Sequence, residues 1–428
     1  WGRWATSRLP SSKPITIVNA LVRPRTSDLN QLASAEAGAI QTVVSTPADP
    51  VWVTEAEGLA DSGGVGAFIC SIGPFESDAE QSVAGPSSEP LSCPTMPTML
   101  NTTETRLQAP GVQSLVWDGE VLVDWVAGGG RYLLDGSAVP RSIYYAYPFD
   151  SAVSLAGSTY AAIYCAGQTK ALILRDGEVH REVNRSYYQA NAYEYPICIF
   201  RTSSGREVLA HCPDDYCRLQ IEDLTTGEVL TQSDARNPRD YFHSRLLAAP
   251  NGQYLVSAGW VWHPMDDVHL YSVEEALNDP CHLDGAGLGI KAWAEESSAA
   301  FLPDGRLVVA LYGIESDDGE STNQGSTELR VFETSRPQEP TTVSMPGRLG
   351  TIVSVGDNHV MALYGHPRLI DLRTGVTVQS WPHIASGNRA SSIFGASAAT
   401  PAMAFDHVGH RYAFADASGI TVLQFNPD

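Results

Sequence analysis

Ser244–Tyr271 reads SRLLAAPNGQYLVSAGWVWHPMDDVHLY, and the order of its parts decides the fold. An apolar run, Leu246 to Ala249, ends at Asn251-Gly252, and a second run, Tyr254 to Ala258, follows. A loop rich in Trp and Asp then leads to a third apolar stretch. Asn and Gly tolerate the positive φ that a tight hairpin turn needs, so the stretch predicts strand, turn, strand, loop, strand. The phrase returns at Ser298–Gly313, SAAFLPDGRLVVALYG, followed by an acidic loop and TELRVF. A sheet this small cannot bury its faces alone, so neighbouring copies must stack into a closed body.

The first turn of each copy aligns as Asp118-Gly119, Gly157-Ser158, Ser204-Gly205, Asn251-Gly252, Asp304-Gly305, Asp357-Asn358 and Val408-Gly409. Their mean spacing, roughly 48 residues, falls in the range of about 40 to 50 expected for four-stranded propeller blades. An all-β chain is predicted: a single β-propeller of seven four-stranded blades over 101–428, with an irregular N-terminal extension over 1–100. Six or eight blades are the alternatives. The last unit, Ala402–Phe405, Arg411–Ala415 and Ile420–Phe425, supplies three strands. Its fourth is expected from Thr103–Gln108, which would clasp last blade to first and remove exposed sheet edges.

A second turn signal closes the third strand of some units: Asp223-Leu-Thr-Thr-Gly227, Asp371-Leu-Arg-Thr-Gly375 and, in shorter form, Arg175-Asp176-Gly177. Here the chain resembles WD40-like and related YVTN-like propeller repeats, whose third strand commonly ends in Asp followed by a Thr-Gly turn. The resemblance covers about 101–428. The Gly-His and Trp-Asp dipeptides that name the WD40 family do not recur from unit to unit, occurring only as Gly365-His366, Gly409-His410 and Trp117-Asp118, so it is to a divergent member of no characterised subfamily. Such repeats imply a protein-interaction role.

The first hundred residues differ in kind. Ile15–Val22 and Phe68–Ile72 read as strands and Leu29–Ile40 as a helix, but Pro74–Pro97 is dense in Ser, Pro, Gly and Glu. That composition suits an extended arm better than a small packed subdomain.

Composition narrows the function classes. With 43% hydrophobic and 18% charged residues, the 428-residue chain can bury a large core. A net charge of −22 opposes a phosphate-neutralising surface and favours basic partners. No run reaches the roughly 18 to 20 apolar residues of a membrane span. The opening Trp1-Gly-Arg-Trp4 lacks a signal's basic segment and apolar core, so a cytoplasmic chain is expected, although removal of an earlier signal is compatible with the sequence. Seven irregularly spaced cysteines do not form a disulfide framework. Cys212 and Cys217 are read as free thiols, with a bridge or a zinc pair beside His211 as alternatives.

Function in such a ring concentrates on loops at one end. The loops between second and third strands share that end with the connections into the next blade, and three of them stand out: His211–Cys217, Trp260–Asp267 and Ile314–Glu320. Asp214, Asp215, Asp266, Asp267, Glu315, Asp317, Asp318 and Glu320 are expected to crowd one acidic sector, for which solvation, a basic protein or peptide, or a metal ion such as calcium are competing explanations. The connections add Tyr144, Tyr145, Tyr147, Tyr187, Tyr188, Tyr193, Tyr195 and Tyr241-Phe-His243. With Trp260 and Trp262 these rings serve either as packing between blades or as an interface. His263, followed by two carboxylates, is the candidate base, against a structural role.

The expected function is a non-catalytic scaffold that binds a protein or peptide, basic in character, through Asp214, Asp215, Tyr241, Trp260, Trp262, His263, Asp266, Asp267, Asp317 and Asp318. No cofactor, metal, nucleic acid or membrane partner is expected, and the chain is expected to be a monomer. The alternative is a hydrolase- or lactonase-like enzyme with a metal or His-Asp site in the central channel.

Overall fold

The structure, a computed structural model, describes residues 100–141, 143–262, 265–314, 325–394 and 400–426. The strands and helix read within 1–99 lie outside the described residues. From Asn101 onward the chain forms seven antiparallel sheets, six of them built from strands consecutive in the chain and the seventh from its last three strands with Asn101–Gln108 added at the edge. It is a seven-bladed β-propeller. All seven dipeptides predicted as first turns join the first and second strands of a blade. Among the described residues, no helix is long and apolar enough to cross a membrane.

The second strands carry the clearest burial signature. Tyr160–Tyr164, Glu207–His211 and Leu307–Tyr312 are buried along nearly their whole length because both faces are covered by adjacent blades. Seven apolar clusters fill the seven wedges. One joins Val256 and Leu270 of blade 4 to Val309 and Leu311 of blade 5. Another joins Met361 and Leu369 of blade 6 to Tyr412 and Leu423 of blade 7. The ring closes where Leu107, Trp117 and Leu122 pack on Ala413 and Val422. Each buried Leu or Val contributes about 1.5–3 kcal/mol of burial, so the wedges, not the ladders alone, hold blade to blade.

The ring closes by strand pairing, as the sequence anticipates. Asn101–Gln108 is the outer strand of blade 7 and pairs along its full length with Gly419–Asn426, in the register Asn101↔Asn426 to Gln108↔Gly419. Arg106 crosses this seam. Its Nη1 donates to Thr421 Oγ1 at 2.7 Å, and its Nη2 pairs with Asp416 at 2.5 Å.

The Asp-x-x-Thr-Gly signal has a physical cause. Asp223 Oδ1 accepts the backbone N–H groups of Thr225 and Thr226 at 3.0 and 2.9 Å, and the Thr226 hydroxyl at 3.2 Å. Asp371 repeats this with Arg373, Thr374 and the Thr374 hydroxyl at 2.9, 2.9 and 3.1 Å. Gly227 and Gly375 follow at φ of 73° and 70°, where a side chain would be strained. The carboxylate thus satisfies the N–H groups that the turn leaves without ladder partners.

Two blades depart from four regular strands. In blade 3 the fourth position is a single bridge, Glu222↔Val229, extended by the Thr231 hydroxyl accepting Ile221 N–H at 2.9 Å. In blade 4 the third strand, Met265–Ser272, runs directly into the helix Val273–Asn278, capped by the Ser272 side chain. The outer edge of that strand is then covered by bridges to Gly287 and Ala294.

Candidate binding face

The hairpin quoted at the outset stands taller than its neighbours. Its strands extend to Tyr254–Trp262 and Met265–Ser272, so Trp260, Trp262, Asp266 and Asp267 are ladder residues rather than loop residues. The ladder pairs Trp260 with Asp266 and, past a bulge, Trp262 with Met265. Alternation along the third strand then sends Asp266 and Asp267 to opposite faces.

Asp266 therefore does not join an acidic rim. Its carboxylate is fully buried. It accepts Ser392 N–H at 3.0 Å and Ser297 N–H at 3.3 Å, takes the Ser392 hydroxyl, and pairs with Arg245 Nη2 at 3.3 Å. Arg245 sits at φ 43°, unusual for a residue with a Cβ, and its Nε donates to Ala258 O at 3.1 Å. Burial pushes the Asp266 carboxyl up and the Arg245 guanidinium down, and each charge opposes the other's shift.

Ser392 belongs to a strap that no sequence signal announced. The long connection between blades 6 and 7 reaches back to the connection between blades 2 and 3. Tyr193 and Ile393 bridge there, Glu194 N–H donates to Ser392 O at 3.3 Å, and Phe394 N–H donates to Ala192 O at 2.7 Å. Arg389 pairs with Glu194 at 2.9 Å. Residues 388–394 thereby join blades that are not neighbours in the ring.

Asp267 is half-buried and works locally. Its Oδ2 lies 3.1 Å from His269 Nε2, and the same ring places Nδ1 3.0 Å from the Tyr271 hydroxyl. Tyr241 is buried. Its ring stacks on His269 at 4.0 Å, its hydroxyl donates to Ser257 O at 2.8 Å, and it accepts Gly259 N–H at 2.8 Å. Beside it, His243 Nδ1 meets Ser257 Oγ at 3.1 Å. Burial, then the nearby His269, holds His243 well below the ordinary imidazole range. This polar group braces blade 4 from within.

Exposed aromatic side chains lie one layer outward. Phe242, fully buried, is the hub of a ring cluster. Tyr216 stacks on it at 4.2 Å and Trp260 at 4.5 Å, while Tyr193 and Trp262 meet it edge-on at 5.2 and 5.1 Å. Tyr188 covers Tyr216 at 5.2 Å. Trp260 is buried in this stack, whereas Trp262 is 42% exposed, Tyr188 43% and Tyr187 87%. Asp240 fixes the outer rings: Trp262 Nε1 donates to its Oδ2 at 2.9 Å and Tyr216 OH to its Oδ1 at 2.8 Å. Burial and then Asp240 lift the Tyr216 phenol well above its ordinary range.

Asp214, Asp215 and Asp240 are exposed beside these rings. Asp240 and Tyr216 were not singled out by the sequence reading. Tyr216 lies inside the distinctive loop, but nothing in the sequence pairs it with Asp240, 24 residues on. His263, Glu315, Asp317, Asp318 and Glu320 lie outside the described residues. Cys212 is buried and Cys217 partly so, both as free thiols, with the Cys212 thiol pushed up chiefly by burial. Among the described residues, no group of three or more His, Cys, Asp and Glu side chains is placed to hold a metal ion.

A scan against protein-family models finds no match. A search of curated proteins finds none either. Among solved structures, the chain is similar to one chain of the crystal structure of the mitotic checkpoint complex, with a TM-score of 0.46 and 10% identity over 82% of this chain and 99% of that one. It is similar also to the Neurospora crassa Pan2 WD40 domain, with a TM-score of 0.45 and 11% identity over 78% of this chain and 98% of that one. The propeller assignment rests on the seven sheets and their closure, and neither likeness extends to what those proteins bind.

Proposed function

We propose that this chain is an interaction scaffold and that the ledge formed by Trp262, Tyr188, Tyr187 and Tyr216, bordered by Asp214, Asp215 and Asp240, docks a protein or peptide carrying basic residues. The observation that carries this reading is a set of exposed rings held rigid from beneath. Phe242 and Trp260 form a buried floor, and Asp240 locks the outer rings in place. Rigid aromatic rings lose little entropy on binding, and a buried hub with an exposed aromatic cap has the anatomy of a binding hot spot. The acidic border and the net charge of −22 select for cationic partners and speed their approach. In this reading the chain acts without chemistry of its own, as a monomer, and Asp266, Asp267 and Tyr241 position the ledge without touching the partner.

The test is an affinity capture with the intact chain beside two variants, Trp262→Ala and Asp214→Asn/Asp215→Asn. Partners lost with the first variant, and retained by the second only at low salt, support the reading. Identical partners in identical yield from all three proteins overturn it.

A further inference from the structure

We infer that the mouth of the central channel is a binding site for a small zwitterion, a free amino acid or a dipeptide with an apolar side chain. A cavity of about 450 Å³ lies there, within the roughly 300–1,000 Å³ typical of ligand pockets. It is bounded by residues that open the inner strands of blades 2 and 5, by blade 6, and by the strap. The cavity lies apart from the exposed Trp262 ledge, although Ile393 of the strap both lines it and packs on the Phe242 ring cluster, and ligand titration reads it separately from partner capture.

The walls present charges of both signs. Arg348 and Arg389 face the cavity together with Asp150 and Glu296. Each guanidinium lies over a ring, Arg348 over Tyr312 at 4.8 Å and Arg389 over Phe394 at 4.7 Å. Arg348 Nε lies 3.1 Å from Glu296 Oε1. Arg389 is less satisfied. Its Nη2 is held by Glu194 at 2.9 Å, which leaves the buried Nε as the N–H without an acceptor. A buried N–H of this kind is rare, and a carboxylate oxygen is a strong acceptor for it.

The same walls reject a ligand of one sign. An anion attracted by the arginines would meet Asp150 and Glu296, and a cation would meet Arg348 and Arg389. A molecule carrying a carboxylate and an ammonium a few bonds apart meets both pairs favourably. Glu296 suits the ammonium end. Burial lifts its carboxyl above the usual range against the pull of Arg348, and an incoming cation would stabilise the ionised form. Tyr364 and Phe394 supply apolar wall for the side chain.

Isothermal titration of the full chain with L-leucine, leucinamide, N-acetyl-L-leucine and inorganic phosphate tests this. L-leucine should bind, and each blocked analogue and phosphate should bind at least about tenfold more weakly, the typical loss of one charge-assisted hydrogen bond. Arg389→Met and Glu296→Gln should each weaken L-leucine by a similar factor with the circular dichroism unchanged. Should Arg389→Met unfold, the more exposed Arg348→Met replaces it. No binding of L-leucine, L-phenylalanine or leucyl-leucine overturns the inference. So does N-acetyl-L-leucine or phosphate binding as tightly as L-leucine, or full affinity in the folded Arg389→Met or Arg348→Met variant.

Discussion

Ser392 gives both its hydroxyl and its backbone N–H to the buried carboxylate of Asp266, a residue 126 positions earlier in the chain. The pair ties the strap between blades 6 and 7 to the third strand of blade 4, across the ring. Removing one side of it separates two costs. Asp266→Ala leaves Arg245 buried without its counter-charge and should cost about 3–5 kcal/mol. Ser392→Ala leaves the ion pair intact and should cost about 1–3 kcal/mol. Urea unfolding of both variants checks this, and equal losses would show that the ion pair adds nothing beyond the strap contact.

Gly252 and Gly205 occupy equivalent turns, both at positive φ, 67° and 88°. A Cβ on Gly252 would sit 2.0 Å from Arg201 O, whereas one on Gly205 would meet nothing within 4 Å. Gly205→Ala should cost about 1–2 kcal/mol, from backbone strain alone. Gly252→Ala adds a backbone clash between blades 3 and 4 and should cost about 3 kcal/mol or more. Thermal unfolding of the two variants side by side would reveal a parity that this packing forbids.

Acid should loosen the closing seam. Asp416 is held well below the ordinary carboxylate range, first by Arg106 and then by the Ser418 N–H. A carboxyl depressed in the folded state stabilises it above the unfolded value near 3.8 and loses that contribution as pH falls below it. Because both groups are partly exposed, the effect is about 1 kcal/mol or less. Arg106→Gln should therefore lower stability at pH 6 and converge on the wild type as pH falls below 3.8. A stability difference that grows on acidification contradicts this sign.

On the ledge, Trp262→Ala should leave the fold nearly as stable, within about 1 kcal/mol, because its ring caps Phe242 from an exposed position. Affinity for a captured partner should fall by about tenfold or more. Asp240→Asn should give a smaller loss, since it frees the Trp262 and Tyr216 rings without removing them. Calorimetric titration of a captured partner into the three proteins orders these effects, and a loss larger for Asp240→Asn than for Trp262→Ala would reverse the assigned roles.

Much of the fold was legible because its signals are local. Asn251-Gly252 and Asp304-Gly305 specify turns through their own φ preferences, and Asp371-Leu-Arg-Thr-Gly375 encodes a carboxylate that satisfies its own turn. Thr103–Gln108 was readable as the closing strand because Ile420–Phe425 lacked an outer partner. The candidate site was less legible. Trp260 to Asp267 read as a loop because Trp and Asp break the apolar pattern, yet the second strand takes in Trp260 to Trp262 and the third begins at Met265. Blade 4 also lacks a regular fourth strand, and no local residue reports that its edge is covered by Gly287 and Ala294.

By itself, then, the sequence determined the repeat, the turn that closes each hairpin and the strand that closes the ring, through short-range backbone preferences and apolar alternation, while the seven sheets of the fold decided between six, seven and eight blades. Tertiary structure alone decided the fate of the carboxylates. Asp215 stays in water while Asp266, chemically the same group, is drawn inward to Arg245 and Ser392. Charge is written in the sequence, but whether it faces solvent or a buried partner depends on ladder register and on a strap more than a hundred residues away.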